Sequence, residues 1–374
     1  VLDFYQYMEP YRDFDFKGYL SSSRKEDVLR VLNKKVLKPL DFLTLLSPAA
    51  VPFMEQMAQR AYAETIRQFG HVICMFAPLY LANYCVNRCA YCGFNATNSI
   101  KRAALSLDQV DKEAAAISAT GMKEILFLTG ESRKVSPPSY MKDCVKVLRK
   151  YFTNIALEVY PLETEEYKML VEAGVDGFTM FQECYNKERY AQVHLGGPKT
   201  NYHFRLDAPE RACKAGMRTI GLGALLGLHE LPSEAFFTGL HVYYLQHKYD
   251  ACDFAVSLPR LCAHIGSFQP YTTVSDRDIV QIMTALRIFL PRIGITVSTR
   301  EEPAFRDNLI GLGVTKMSAA SSTEVGGYAE HTSDDQFDIS DKRSVDEVAA
   351  SIRKKGWLPV FKDWQTLDRE GTAV

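Results

Sequence analysis

The sequence predicts an α/β fold: a (β/α)8 TIM-type barrel with an N-terminal helical extension and a short C-terminal tail. Three observations carry that prediction. Eight short runs rich in β-branched and aromatic residues follow one another from residue 71 onward, amphipathic helical patterns separate most of them, and several of those patterns stop at Gly, a residue that ends helices. A doubly wound open sheet uses the same alternation but usually has fewer strands.

Residues 1–65 read as the helical extension. KEDVLRVLNK, LDFLTLLSP and the beginning of VPFMEQMAQRAYAETIRQFG place apolar residues three and four apart, the spacing of one helical face. Residues 66–325 read as the barrel. Its strand candidates are HVICMFAPLY, EILFLTG, NIALEVYPL, GFTMFQE, RTIGLGALLGL, ACDFAVSLPRL, GITVSTRE and TKMSAASST. Between them lie helix candidates such as LDQVDKEAAAISATG, SYMKDCVKVLRKYF, EEYKMLVEAG, APERACKAG, EAFFTGLHVYYLQHKY and SDRDIVQIMTALRIFLPRIG. Residues 326–374 mix a polar loop with one short helix and an aromatic end; no low-complexity linker sets them apart, so they read as a segment packed on the barrel. In such a barrel, chemistry belongs at the C-terminal ends of the strands.

Lys and Arg number 44 against 45 Asp and Glu, a net charge of −1. That balance gives no bulk field to concentrate nucleic acid or an anionic membrane, and it suits a small uncharged or zwitterionic substrate. The opening residues lack the pattern of a secretory signal, and no run of about 18 uncharged apolar residues occurs. A cytoplasmic protein is expected, with neither nucleic acid nor membrane as partner. Of nine cysteines, Cys74, Cys144, Cys184, Cys213, Cys252 and Cys262 stand alone on apolar segments and read as small buried hydrophobes.

The other three form YCVNRCAYCGF, a C-x3-C-x2-C spacing of Cys85, Cys89 and Cys92 on the loop after the first strand. A structural zinc site takes four ligands, typically as two pairs, and no second pair is near; Cys74 or His71 could complete a set, but both precede the loop. A redox C-x-x-C of Cys89 and Cys92 leaves Cys85 unexplained. An iron–sulfur cubane takes one thiolate per iron, so three thiolates leave one iron open. Radical chemistry launched from S-adenosyl-L-methionine uses such an opening, with the cofactor's amine and carboxylate on the free iron of one [4Fe-4S] cluster.

This loop resembles the signature of the radical S-adenosylmethionine superfamily, and LTGE, ending at Glu131, is similar to that superfamily's Gly-Glu motif. APLYLANYCVNRCAYCGF, NSIKRAALS, FLTGE, NYHFRLDAPERACKAG, IGLGALLGL, SLPRL, STREEPAFRD and VGGYAEH together resemble the tyrosine lyase family of thiamine biosynthesis, the 2-iminoacetate synthases. The resemblance implies cleavage of the Cα–Cβ bond of L-tyrosine to 4-cresol and 2-iminoacetate. It further implies a thiazole synthase as the consumer of the imine, and reduced flavodoxin or ferredoxin as electron donor.

By the same resemblance, Cys85, Cys89 and Cys92 bind the cluster, Tyr91 packs near the adenine and Glu131 receives the cofactor's amino group. Arg205 falls where related barrels place an arginine on the cofactor carboxylate, and a planar guanidinium suits that geometry. Glu183, ending the fourth strand candidate, is positioned for the ribose hydroxyls, with a structural ion pair as the alternative. For the substrate carboxylate the candidate is Arg300, with Ser318 or Ser321 as supporting donors and Tyr80 lining the same pocket. Arg260 also faces the barrel mouth by strand parity and has no task assigned.

Rival readings remain. The related tyrosine lyase of hydrogenase maturation carries a second cluster on cysteines beyond its barrel, whereas no Cys follows Cys262 in this sequence. A tryptophan lyase would share the amino-acid anchor. A non-enzymatic zinc-binding protein would use the thiolates for stability alone.

Overall fold

The computed structural model describes residues 2–261, 268–330 and 333–363. Eight strands run parallel in chain order: β1 (Val72–Ala82), β2 (Glu124–Thr129), β3 (Asn154–Glu158), β4 (Gly177–Glu183), β5 (Thr219–Ala224), β6 (Asp253–Ser257), β7 (Gly294–Val297) and β8 (Lys316–Ser318). Strand β1 pairs with β2 along its upper half and with β8 at Cys74–Phe76, which closes the barrel. Each of the eight expected runs supplies one strand. A ninth, β9 (Leu358–Val360), was not expected; it joins the start of β1 at Val72–Cys74.

The helices start and stop where their sequences say. Ser106, Ser275 and Ser344 each accept the N–H of the residue three ahead, and Gln109, Asp278 and Glu347 reach back to close capping boxes. Helix Thr164–Ala173 ends on Gly174 in the left-handed region, φ 110°, a conformation that a Cβ would disfavour.

Barrels of this kind are normally filled by layers of bulky side chains. Here the inward positions of β3 to β7 include Ala156, Gly177, Gly221, Ala255 and Gly294, and a cavity of about 610 Å³ remains along the axis. Gln68 and Phe69, the last turn of helix Met54–Phe69, line its lower end. That helix runs past the expected end of the extension at residue 65 and is fixed by packing on Asp276–Phe289, so its last turn, inside the bounds expected for the barrel, caps it from below. From above, the C-terminal segment reaches back over the mouth. Asp341, wholly buried, pairs with Arg306 of helix Pro303–Leu309. The Ser340 and Asp341 N–H groups donate to the Thr299 carbonyl at 3.1 and 3.0 Å.

Candidate active site

The three-cysteine loop leaves β1 at the upper mouth and is tied to its neighbours at every turn. Its backbone donates from Val86 to the Glu131 carbonyl, from Arg88 to Gly196 and from Ala90 to Val193, each at 2.9 Å. Arg102 sends its guanidinium N–H groups to the carbonyls of Asn83, Phe94 and Asn95, oxygens that would otherwise be left unpaired in the interior. Gly93 lies so close to the Gln336 carbonyl that no Cβ fits.

Cys89 is buried, and Cys85 and Cys92 are partly so. Burial pushes the Cys89 thiol up to about 12, against the pull of Lys199. It also raises Cys92, with Cys85 the next contributor. The sulfurs therefore feel one another. Among the described residues no group of three His, Cys, Asp or Glu side chains is placed to hold a single metal ion. A set of three thiolates suits an iron–sulfur cluster with one iron left open better than mononuclear structural zinc, which takes four ligands. Cys74 stands near the opposite end of β1, roughly 25 Å below the loop at about 3.3 Å per strand residue. Of the isolated cysteines, Cys144, Cys184 and Cys213 are buried, Cys74 and Cys252 are partly exposed, and Cys262 lies outside the described residues.

Next to the thiols, Tyr91 is buried and its hydroxyl is 2.7 Å from His194 Nε2. His194 Nδ1 lies 2.7 Å from the Tyr190 carbonyl. A carbonyl only accepts, so Nδ1 carries the proton and Nε2 accepts from Tyr91. Burial drives His194 down to about 3, which keeps the ring neutral. Glu131 accepts from Asn87 Nδ2 at 2.6 Å, and Asn87 in turn accepts the Lys199 N–H at 2.9 Å.

Glu183 closes β4 with φ at 70°, a left-handed conformation that costs a residue with a side chain about 1–3 kcal/mol. The register of β4 on β5 slips at this point. The carboxylate lies between Lys199 Nζ at 2.8 Å and the Arg205 guanidinium at 3.2 Å. Burial alone would raise it, but the two cations outweigh burial and hold it below the ordinary range. Arg205 is only 7% exposed and also donates to the Phe181 carbonyl, so it is no helix-surface ion pair. A side cavity of about 350 Å³ brings Glu131, Lys199 and Arg205 onto one wall.

The axial cavity gathers the other candidates: Tyr80, Arg300, Ser318 and Ser321 all line it. Tyr80 donates to Gln336 Oε1 at 2.7 Å. Ser318 Oγ accepts the Thr299 N–H at 3.1 Å, which steadies the turn bearing Arg300. The Arg300 guanidinium lies 3.5 Å from the centre of the Phe337 ring, and among the described residues it makes no ion pair. Ser321 Oγ is buried without a hydrogen-bond partner. Arg260, by contrast, is committed to Glu301 and Asp276.

Sequence reasoning missed Glu158, Lys199 and Gln336. Glu158 ends β3 and faces the axial cavity, and its side chain makes no hydrogen bond among the described residues. Burial raises it to about 7, with Arg300 opposing. A signal for it existed: an acid inside the apolar run NIALEVYPL, two residues beyond inward-facing Ala156. Lys199 sits in the single 3-10 turn Pro198–Thr200 and Gln336 in an irregular segment, both too short to carry a periodic pattern.

Comparison with known proteins gives this geometry its lineage. Residues 79–236 match the radical SAM superfamily, and residues 257–358 match the biotin and thiamin synthesis associated domain. The 2-iminoacetate synthase of Escherichia coli is 38% identical over 354 residues, 94% of either chain. That of Salmonella typhimurium is 37% identical over the same span. Among solved structures, HydG, a maturase of the [FeFe]-hydrogenase, matches with a TM-score of 0.89 at 31% identity, over 93% of this chain and 80% of that one. The chain is thus a radical SAM enzyme of the lyase class and belongs to the 2-iminoacetate synthase family.

Proposed function

We propose that the chain cleaves the Cα–Cβ bond of L-tyrosine to give 4-cresol and 2-iminoacetate for thiazole formation. Cys85, Cys89 and Cys92 would hold one [4Fe-4S] cluster, and Glu131, Glu183, Arg205 and Tyr91 would surround S-adenosyl-L-methionine. When bound, these groups supply a 5′-deoxyadenosyl radical that takes a hydrogen atom from the substrate.

The observation that carries the reading is an arginine and a carboxyl group on one cavity, neither with an ion-pair partner among the described residues. Arg300 offers a two-pronged donor for a carboxylate, and Glu158 offers an acceptor for an amine. Such a pair recognises an α-amino acid by both ends at a fixed separation. Ser321 adds a buried hydroxyl that has no partner among the described residues. Between the anchors and the lower end, the cavity walls of Phe76, Leu126 and Ala156 accept an apolar ring. Tyr91 and Cys92 of the cysteine loop line the same cavity as Glu158, so an amine held by Glu158 would share that cavity with the loop.

Glyoxylate, from hydrolysis of the imine, is expected beside 4-cresol when the protein works without a thiazole synthase. Reduced flavodoxin or ferredoxin is the proposed electron donor, and the cytoplasm the proposed location; no helix among the described residues is long and apolar enough to cross a membrane. The test is anaerobic reconstitution with iron and sulfide, followed by S-adenosyl-L-methionine, dithionite and either L-tyrosine or L-tryptophan. Cresol from tyrosine supports the proposal, and its absence overturns it. The likeness to HydG favours a second reading, further breakdown to cyanide; stoichiometric cyanide from protein carrying one cluster would establish that one instead.

A further inference from the structure

We propose that Gln336 sets the reduction potential of the bound cluster by donating its amide N–H to the Cys92 thiolate. This role rests on the reading of Cys85, Cys89 and Cys92 as cluster ligands.

Gln336 Nε2 lies 3.7 Å from Cys92 Sγ, within reach of a hydrogen bond to the large, polarisable sulfur. An amide can present either its oxygen or its nitrogen, and which one faces a neighbour must be settled by the other end. Here the two ends agree: a ligating thiolate only accepts, so it takes the NH2 group, and the oxygen is left for the Tyr80 hydroxyl. That hydroxyl donates to Gln336 Oε1 at 2.7 Å, and burial raises the Tyr80 phenol so that it keeps its proton. With the oxygen taken, the NH2 group faces the sulfur.

The backbone is pinned as well. Gln336 N–H donates to the Thr323 carbonyl at 3.3 Å, and Thr323 Oγ1 donates to Asp335 at 2.6 Å, with the Phe337 carbonyl also within reach at 3.0 Å. The Gln336 carbonyl presses on Gly93, the residue after Cys92, where no side chain fits. Of the three thiols, Cys92 is the one with a side-chain N–H directed at it among the described residues.

A donor to a ligating sulfur stabilises the extra electron density that reduction places there, so it raises the potential and eases electron entry. Phe337, the next residue, lies against Arg300. The same short segment thereby touches the cluster loop on one side and the substrate anchor on the other.

The experiment compares wild-type protein with Gln336→Met, which keeps side-chain length and removes the donor, and with Tyr80→Phe, which frees the amide to rotate. Iron content and visible absorbance of the reconstituted proteins report the cluster itself, and a dithionite titration followed by electron paramagnetic resonance reports its midpoint. Gln336→Met is expected to retain iron and to be about tenfold harder to reduce, a midpoint about 59 mV lower for one electron. Tyr80→Phe should shift the same way by less. An intact cluster with an unchanged midpoint in Gln336→Met overturns the role of Gln336 and leaves the cluster reading standing. If Gln336→Met loses its iron, Tyr80→Phe decides: a lowered midpoint supports the role and an unchanged one overturns it. Wild-type protein that takes up no iron removes the cluster reading and this role together.

Discussion

Replacing Arg300 by Lys keeps a positive charge in the axial cavity and removes the planar fork. Arg300 makes no ion pair among the described residues, so its substitution breaks no internal pair, and the loss should fall on the ligand. Of two charge-assisted bonds to the substrate carboxylate, one disappears, a loss of about 1.5–3 kcal/mol. Its stacking on Phe337, 3.5 Å from the ring centre, weakens too, because a compact ammonium does not match an aromatic face as a flat guanidinium does. The expected result is tyrosine binding roughly 10- to 100-fold weaker. Uncoupling should accompany it, with more 5′-deoxyadenosine released per 4-cresol. Anaerobic titration calorimetry in the presence of S-adenosyl-L-methionine reads the affinity, and chromatography of both products reads the coupling. Arg260→Lys serves as the control, since Arg260 is already held by Glu301 and Asp276. Affinity and coupling in Arg300→Lys within twofold of wild type would refute the reasoning, as would a larger effect in Arg260→Lys.

Single Cys→Ala changes at Cys85, Cys89 or Cys92 are expected to remove most cluster iron and all 5′-deoxyadenosine formation. The same change at Cys144 or Cys213 should affect neither, as iron analysis will tell. Glu158 is an acid raised to about 7 from an ordinary 4.5, so the folded state keeps a proton that the unfolded chain releases, and the stability it contributes is lost as pH rises from 4.5 through 7. Glu158→Gln should therefore gain on wild type between pH 5 and pH 8, by up to about 3 kcal/mol. Melting curves that keep a constant offset across that range would contradict the assignment. Ser321→Ala deletes a buried hydroxyl that has no hydrogen-bond partner among the described residues; its thermal midpoint should hold or rise while tyrosine affinity drops about 2- to 10-fold, and a folding defect without a binding change would make the hydroxyl structural.

The barrel was legible because each strand announces itself locally. GFTMFQE, for instance, begins at a Gly, alternates small with large residues, and becomes β4 without a shift of either end. By contrast β9 is three residues with Pro359 at its centre, too short for a period to register and containing a residue that strands tolerate mainly at edges. The same division runs through the site. The cysteine trio lies within eight residues and can be read as a unit, whereas the Glu183, Lys199 and Arg205 cluster forms only when the chain folds back after β4. Glu183 itself was visible as a strand-end acid, but its φ of 70° was not, since nothing in its neighbours forces that conformation. Arg260 and Arg300 look alike in sequence, two arginines near the ends of adjacent strand runs; only their neighbours in space separate the committed one from the available one.

The contact between Gln336 and Cys92 spans 244 positions of chain, and that separation bears on the order in which the molecule is made. During synthesis the cysteine loop emerges long before the residues that shield it. Strands β1 to β8 can close, and the three sulfurs can stand ready, while Cys92 still lacks its neighbour and the mouth is open to whatever delivers iron and sulfide. Arrival of residues 333–341 then seats Asp341 on Arg306 and lays Gln336 against Gly93. The loop that would carry the cluster and the segment that covers it thus lie far apart in the chain, and the cover is the later made of the two.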